Sequence, residues 1–358
     1  MKFPGSVDCS KALSTAQYDD IIDVRSPAEY KHDHIPGAIN LPVLSDQERI
    51  VVGTLYKQTG SFEAKRLGAA LVAKNIASHL EAELAQRSRA WRPLIYCWRG
   101  GNRSASMAHI LAKIGWPVDV MIGGYKSYRH YVIDSLNTLP QQFNWISLSG
   151  PTGSAKTRLL DQLKLAGEQV LNLEELAQHR GSLLGNLSNQ EQPSQKYFES
   201  LLATHLRGYA PDKPLFVESE SVKIGNLRVP PEIVCAIRQA RQVKLNLAIQ
   251  SRIKLLREEY SHWLSEEQKL LNRLEHFQTL VGKLKVQEWK NLLMQAKYDE
   301  LVHAMLLQHY DPAYLKASRY QETSSAPTLA IHLTGYSEAE LKLAARSLID
   351  QLSLSSMI

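Results

Sequence analysis

The stretch Asn144-Trp145-Ile146-Ser147-Leu148-Ser149, continued by Gly150-Pro151-Thr152-Gly153-Ser154-Ala155-Lys156-Thr157, decides how the second half of the chain reads. The first six residues form a strand candidate. The next eight fit the spacing G-x-x-x-x-G-K-T, with Ala155 in place of the second glycine. A strand that ends in such a loop and then opens a helix gathers backbone N–H groups around phosphate oxygens. In that reading Gly150, Gly153 and Ser154 shape a cradle for a di- or triphosphate. Lys156 neutralises the outer phosphate oxygens, and the Thr157 hydroxyl is placed to ligate Mg²⁺. Gly153 keeps a second glycine in the loop, while Ala155 brings a Cβ where close approach matters. The bland alternative is an ordinary Gly-rich turn from strand to helix.

Beyond this loop the same style continues. Leu215-Phe216-Val217-Glu218 and Val243-Lys244-Leu245-Asn246-Leu247-Ala248-Ile249 are strand candidates, and a helix is expected from about Ala155. From about Ile253 to Gln308 the pattern is helical and highly charged. Thr328-Leu329-Ala330-Ile331-His332-Leu333 is a last strand before a helix from about Ser337. Residues 141–358 therefore read as one α/β domain with a helical insertion or tail. Glu218 and Glu220 follow a strand, where they can hold a metal through water; a solvated loop explains them equally well. Arg180, after His179, can contact a phosphate or can simply end a helix. The basic residues Arg238, Arg241, Lys244, Arg252, Lys254 and Arg257, then Lys283, Lys285 and Lys290, have the spread that tracks an RNA backbone, or that of a solvated face.

Residues 1–140 alternate in the same way. Tyr18 to Arg25 opens with a short strand, and Ala38-Ile39-Asn40-Leu41-Pro42 follows a Pro36-Gly37 turn. A helix is expected over about Phe62–Arg87, another over about Ser104–Ile114. Pro93-Leu94-Ile95-Tyr96-Cys97 and Val118-Asp119-Val120-Met121-Ile122 are strands, the latter closed by Gly123-Gly124. The alternation predicts a mainly parallel sheet.

Cys97 stands where a strand ends and a helix is about to begin, in Cys97-Trp98-Arg99-Gly100-Gly101-Asn102-Arg103-Ser104. The backbone of Gly100 and Gly101 can turn N–H groups toward one point, and the helix N-terminus adds its positive end. With Arg99 and Arg103 these groups should lower the thiol pKa and bind an anion beside the sulfur. A buried structural cysteine is the alternative. Cys9 and Cys235 lack such surroundings and are expected to be structural. Cys-x5-Arg also fits a cysteine phosphatase loop, but Tyr96 stands where such loops usually carry histidine.

The chain has 358 residues, 44% hydrophobic and 22% charged, with a net charge of +6. This excludes a disordered or fibrous chain and permits a polyanionic partner without requiring one. No apolar run approaches the roughly 18 residues of a membrane span. Met1-Lys2-Phe3-Pro4 shows no secretory signal. Three cysteines make no disulfide framework, so a reducing, cytoplasmic setting is expected.

Asp23-Val24-Arg25, Glu29-Tyr30 and His34-Ile35-Pro36-Gly37-Ala38-Ile39-Asn40, ahead of the Cys97 loop, resemble the opening of rhodanese domains. The Cys97 loop is one residue longer than the commonest rhodanese pattern, which points to a donor other than thiosulfate. Joined to a P-loop domain, the whole is similar to the tRNA 2-selenouridine synthases. Further matching segments are Val52-Gly53-Thr54-Leu55-Tyr56-Lys57-Gln58, Gly123-Gly124-Tyr125-Lys126, His179-Arg180-Gly181-Ser182 with Gly185, Glu218-Ser219-Glu220-Ser221 with Ile224-Gly225, Glu258-Glu259-Tyr260 and Tyr310-Asp311-Pro312. The resemblance implies an N-terminal rhodanese-like α/β domain and a C-terminal P-loop NTPase-like α/β domain with a helical extension. It implies conversion of wobble 2-thiouridine in tRNA to 2-selenouridine, with selenophosphate as donor. An S-geranyl intermediate made from geranyl diphosphate is implied as well. Cys97 would carry the selenium as a selenyl-sulfide adduct; no tightly bound cofactor is expected, and Mg²⁺ at Thr157 is the one metal the loop suggests. The competing assignment is a sulfurtransferase fused to a nucleotide-dependent kinase or regulatory domain.

Overall fold

The computed structural model describes residues 3–15, 17–180, 191–219, 222–261, 267–319 and 329–355. It divides into two compact units, Met1–Asn137 with Pro193–Thr204, and Thr138–Gln192 with His205–Ile358. Each unit is an α/β layer structure built on a parallel five-stranded sheet.

In the first unit the strands are β1 (Gly5–Val7), β2 (Asp20–Asp23), β3 (Ile39–Asn40), β4 (Pro93–Tyr96) and β5 (Asp119–Met121), in the order β1-β5-β4-β2-β3. All pairings are parallel. β4 is central and all four of its residues are buried, which is why it reads as an unbroken apolar run. Helices α1 (Cys9–Ser14), α2 (Pro27–His32), α3 (Asp46–Gln58), α4 (Ser61–Glu81), α5 (Asn102–Ile114) and α6 (Gly124–Thr138) make the crossovers. The helix expected over Phe62–Arg87 is α4 alone, and α3 before it was not expected. Gly60, at φ +116°, breaks them apart, and α4 already ends at Glu81. α5 turns Met107, Ala108, Leu111 and Ala112 into the core beside Ile22, Val24 and Ile95, the one-sided spacing of an amphipathic helix. It stops at Gly115, which takes the left-handed conformation at φ +119°.

In the second unit the order is β12-β11-β6-β8-β7, again all parallel. The strands are β6 (Asn144–Ser149), β7 (Gln169–Leu171), β8 (Pro214–Glu218), β11 (Arg241–Leu247) and β12 (Leu329–Leu333); β9 (Lys223–Ile224) and β10 (Leu227–Arg228) form a small antiparallel hairpin. Helix α7 (Lys156–Leu165) follows β6. It starts one residue later than the sequence suggests, because Ala155 is left-handed and caps it. After α8 (Leu173–Ala177), α9 (Gln195–Gly208) and α10 (Pro231–Gln239), helix α11 (Ile249–Glu259) follows β11. Leu148, Leu159, Leu163, Val243 and Leu245 form the core with the terminal helix Glu338–Ser355. The charged segment beyond α11 contains helices with their own core of Leu274, Phe277, Val286, Trp289 and Leu293, so it is a packed layer rather than a solvated tail.

Candidate functional site

Both candidate sites lie at the carboxyl end of a central parallel strand, the place where open α/β sheets bind ligands. One belongs to each unit.

At the end of β4, Cys97 is only 3% exposed. Its Sγ accepts hydrogen bonds from the Gly101 N–H at 3.2 Å and from the Ser104 hydroxyl at 3.2 Å. Gly101 is also the N-cap of α5, whose first turn carries no acidic residue, so the helix dipole remains available to an anion. Burial pushes the Cys97 thiol up. The bonds from Ser104 and from the Arg99 backbone, with the Arg103 charge, outweigh it, and the thiol ionises below its usual range. The loop is held from behind by α6. Tyr125 N–H donates to the Cys97 carbonyl at 2.8 Å and Lys126 N–H to that of Trp98 at 3.0 Å. Gly124 makes this possible: at φ +55°, a Cβ there would lie 2.2 Å from the Cys97 carbonyl oxygen.

The loop arginines play unequal parts. Arg99 is exposed and gives its backbone to the sulfur. The Arg103 guanidinium does not stand open as an anion ligand; it donates to Glu29 Oε2 at 2.8 Å, and its charge reaches Cys97 from there. Gly100 sits at φ +66°, packed toward the Met121 carbonyl. Sequence reasoning left Ser104 without a role, although its place in the first turn after a Gly-rich loop is where a hydroxyl can reach the sulfur. It also missed a fully buried network. Arg25 pairs with Asp23 at 2.5 Å, donates to the Asp33 carbonyl at 2.6 Å and lies 4.0 Å from the Tyr125 ring centroid. The Asp33 carboxylate accepts from Tyr125 at 2.7 Å and from Ser200 at 2.8 Å. This network supports α6 and hence the Cys97 loop.

In the second unit the loop Gly150–Ala155 joins β6 to α7. Gly150, Gly153 and Ala155 all have positive φ, at 155°, 77° and 66°. Lys156 Nζ folds back to the Gly150 carbonyl at 3.1 Å, the posture of a lysine arched over its own loop. Ser154 is fully buried and its hydroxyl has no hydrogen-bond partner. A buried, unpartnered hydroxyl beside Lys156 is a donor that an oxyanion would satisfy. The loop opens on a cavity of about 870 Å³ lined by Lys156, Thr157, His179, Arg180, Glu218 and Tyr310. Leu255, Leu256 and Tyr260 give that cavity an apolar side. Glu218 is buried at the end of β8, in register with Leu148 of β6, so the strand next to the loop delivers its carboxylate. Burial also pushes the Glu259 carboxyl up, against the pull of Arg158 and Arg180.

His179 is buried and Arg180 half-buried. The Arg180 guanidinium donates to the Glu259 carbonyl and lies over the Tyr260 ring at 5.3 Å, on the cavity wall. Glu220, Gly181, Ser182, Gly185 and Ser221 lie outside the described residues. Three residues of the basic stretch have partners within the second unit. Arg252 is 5% exposed and bonded inside the fold, Arg257 pairs with Asp299 at 2.9 Å, and Lys290 pairs with Glu275 at 2.7 Å. Among the described residues no group of three or more His, Cys, Asp or Glu side chains is placed to hold a metal ion. No helix there is long and apolar enough to cross a membrane.

Two family models match the chain: a rhodanese-like domain over residues 7–131 and the tRNA 2-selenouridine synthase AAA domain over residues 143–330. A tRNA 2-selenouridine synthase of Shewanella oneidensis is 33% identical over 338 residues, covering 84% of this chain and 89% of the relative. One from Hydrogenovibrio crunogenus is 34% identical, covering 82% and 88%. One from Nitrosomonas europaea is 35% identical over 244 residues, and there the match spans 67% of this chain and 63% of the relative's length.

Proposed function

The chain belongs to the tRNA 2-selenouridine synthase family, and from that membership we propose that it is a tRNA-modifying transferase that replaces the 2-thio sulfur of wobble 2-thiouridine with selenium. The observation that carries this reading is Cys97, a buried thiol held toward its ionised form by Gly101 and Ser104 at the mouth of a helix dipole. Selenophosphate is a small anion suited to such a cradle. A selenyl-sulfide on Cys97 would need an oxidant that selenophosphate does not supply, so the thiolate instead takes the phosphoryl group. The P–Se bond breaks and the released hydroselenide attacks C2 of the uracil. The C2–S bond breaks with loss of the alkyl thiol, and water frees Cys97 with release of phosphate. The conversion of an S-alkyl thiouracil, selenophosphate and water to 2-selenouracil, alkyl thiol and phosphate is redox-neutral overall.

Sulfur on C2 is a poor leaving group until it is alkylated. In the proposed first half-reaction the thiouracil sulfur attacks C1 of geranyl diphosphate. The C–O bond breaks, diphosphate departs and the N3 proton is lost. The loop N–H groups, the Ser154 hydroxyl and Lys156 hold the departing diphosphate. Leu255, Leu256 and Tyr260 offer the apolar side that an isoprenoid chain requires. The oxygen donors Thr157 and Glu218 fit Mg²⁺ brought in with the diphosphate, where it would add charge stabilisation. A tRNA base must leave its stack to reach either site. The setting is the cytoplasm, where tRNA and reduced thiols coexist.

The test is direct. A purified anticodon stem-loop carrying 2-thiouridine is incubated with the protein, geranyl diphosphate, Mg²⁺ and selenophosphate, and its nucleosides are weighed by mass spectrometry. Selenium in place of sulfur is the expected result. Unchanged RNA, with thiosulfate sulfur transfer or nucleotide-dependent phosphorylation found instead, would favour the sulfurtransferase–kinase assignment.

A further inference from the structure

The phosphate loop is gripped by a charge pair that the proposed chemistry does not use. Arg252 of α11 donates through Nε to the Thr152 carbonyl at 2.9 Å. Its Nη1 and Nη2 donate to the two carboxylate oxygens of Asp311 at 3.1 and 2.6 Å, a two-pronged ion pair. Asp311 opens the helix Asp311–Arg319, directly after a π-helical turn at Leu306–Tyr310. Such turns are rare and often accompany functional sites. Here the turn places Tyr310 on the cavity wall and the next residue against Arg252. Thr152 and Gly153 line the cavity and Arg252 does not, so the guanidinium lies behind the loop.

That placement has a consequence for the backbone. In a planar trans peptide the C=O and N–H groups point in opposite directions. With the Thr152 carbonyl drawn toward Arg252, the Gly153 N–H points away from α11. A charged donor on the carbonyl also polarises the peptide and strengthens its N–H as a donor. The loop needs external support, since Gly153 and Ala155 both occupy the left-handed region. α11 supplies it at close quarters: a Cβ on Gly153 would meet Leu256 Cγ at 2.9 Å and the Arg252 carbonyl at 3.3 Å.

We propose that Arg252 and Asp311 are positioning residues for the phosphate site, which hold the Thr152–Gly153 peptide with its N–H turned to an oxyanion. Diphosphate affinity then depends on the helix that begins at Asp311. The inference rests on the reading of Gly150–Thr157 as a diphosphate site. Arg252→Lys keeps the charge but cannot span carbonyl and carboxylate together. Asp311→Asn keeps the side-chain shape and removes its charge.

The experiment is calorimetric titration of the full-length chain with pyrophosphate and Mg²⁺, beside thermal melts, for the wild type and both variants. Both variants should melt cooperatively yet bind pyrophosphate roughly tenfold more weakly, the low end of what supporting residues contribute to ligand affinity. Wild-type affinity in both folded variants, with only the melting temperature lowered, would make the pair a plain structural brace and overturn the proposal. If Arg252→Lys does not fold, Asp311→Asn decides alone. A wild-type chain that fails to bind pyrophosphate would overturn the loop's assignment as well, which separates that failure from the failure of the pair.

Discussion

The Ser104 hydroxyl stands 3.2 Å from Cys97 Sγ and 3.1 Å from the Gly101 carbonyl, so its single proton has two acceptors within reach. Facing a thiolate it turns to sulfur, and facing a thiol it is free to turn to the carbonyl. Ser104→Ala should therefore raise the Cys97 pKa and slow its alkylation at neutral pH, and Ser104→Thr should keep most of the effect. The measurement is the iodoacetamide rate against pH in a Cys9→Ser, Cys235→Ser background. An unchanged profile would remove Ser104 from the site. The sign of the linked stability follows. The folded thiol ionises below its unfolded value, so this contribution is present above the unfolded pKa and fades as pH falls through the folded one. The stability gap between wild type and Ser104→Ala should widen in urea melts taken from about pH 6 to about pH 9.

Cys97→Ser should abolish 2-selenouridine formation with the fold intact, because serine is nearly isosteric. Cys9, which is buried, and Cys235, which is exposed outside both sites, should tolerate serine with little change. Selenonucleoside levels in cells carrying each variant decide the matter, and normal levels with Cys97→Ser would sink its assignment.

Lys156→Ala should slow geranylation of a 2-thiouridine stem-loop by about 10²–10³, the usual loss on removing a group that stabilises developing charge. Selenation of RNA supplied already geranylated should survive, and Cys97→Ser should show the reverse pattern. Equal loss of both steps in both variants would point to a single shared active site. Wild-type geranylation by Lys156→Ala would move the diphosphate elsewhere.

Ala155→Gly relieves a left-handed alanine at φ +66° but gives up a buried methyl group. Each effect is worth about 1 kcal/mol and they oppose one another, so stability should change by less than about 1 kcal/mol. Geranylation should be equal or faster. A clear loss of rate would mean that the Ala155 methyl contacts the substrate.

Gly124→Ala should be far more damaging than its chemistry suggests. The added Cβ would meet fixed backbone, the Cys97 carbonyl oxygen at 2.2 Å and the Gly100 nitrogen at 2.7 Å, in a left-handed conformation as well. We expect a loss of about 2–5 kcal/mol together with slowed Cys97 alkylation. Unaltered Cys97 reactivity would show that α6 does not shape the loop.

Four strands of each sheet, the loop after β6 and the loop at Cys97 were legible in the order of residues because each is local, whereas the three-residue strands β1 and β7 were too short to show a pattern. A strand, a Gly-rich turn and a helix are neighbours in the chain, and their periods and turn residues are written there. The charges stayed open where tertiary packing chose their partners. Arg252 looks like any cation of an RNA-binding stretch until a carboxylate 59 residues away and a loop carbonyl 100 residues away enclose it. Arg103 looks like an anion ligand until Glu29, 74 residues earlier, takes it up. Ser200 meets Asp33 across 167 residues. Local spacing carries the backbone's conformational preferences, so it announces where a cradle forms. Which side chains are desolvated, and against what, depends on contacts that exist only once distant segments fold together. Burial turns such a charge from a solvated ornament into a support for the site.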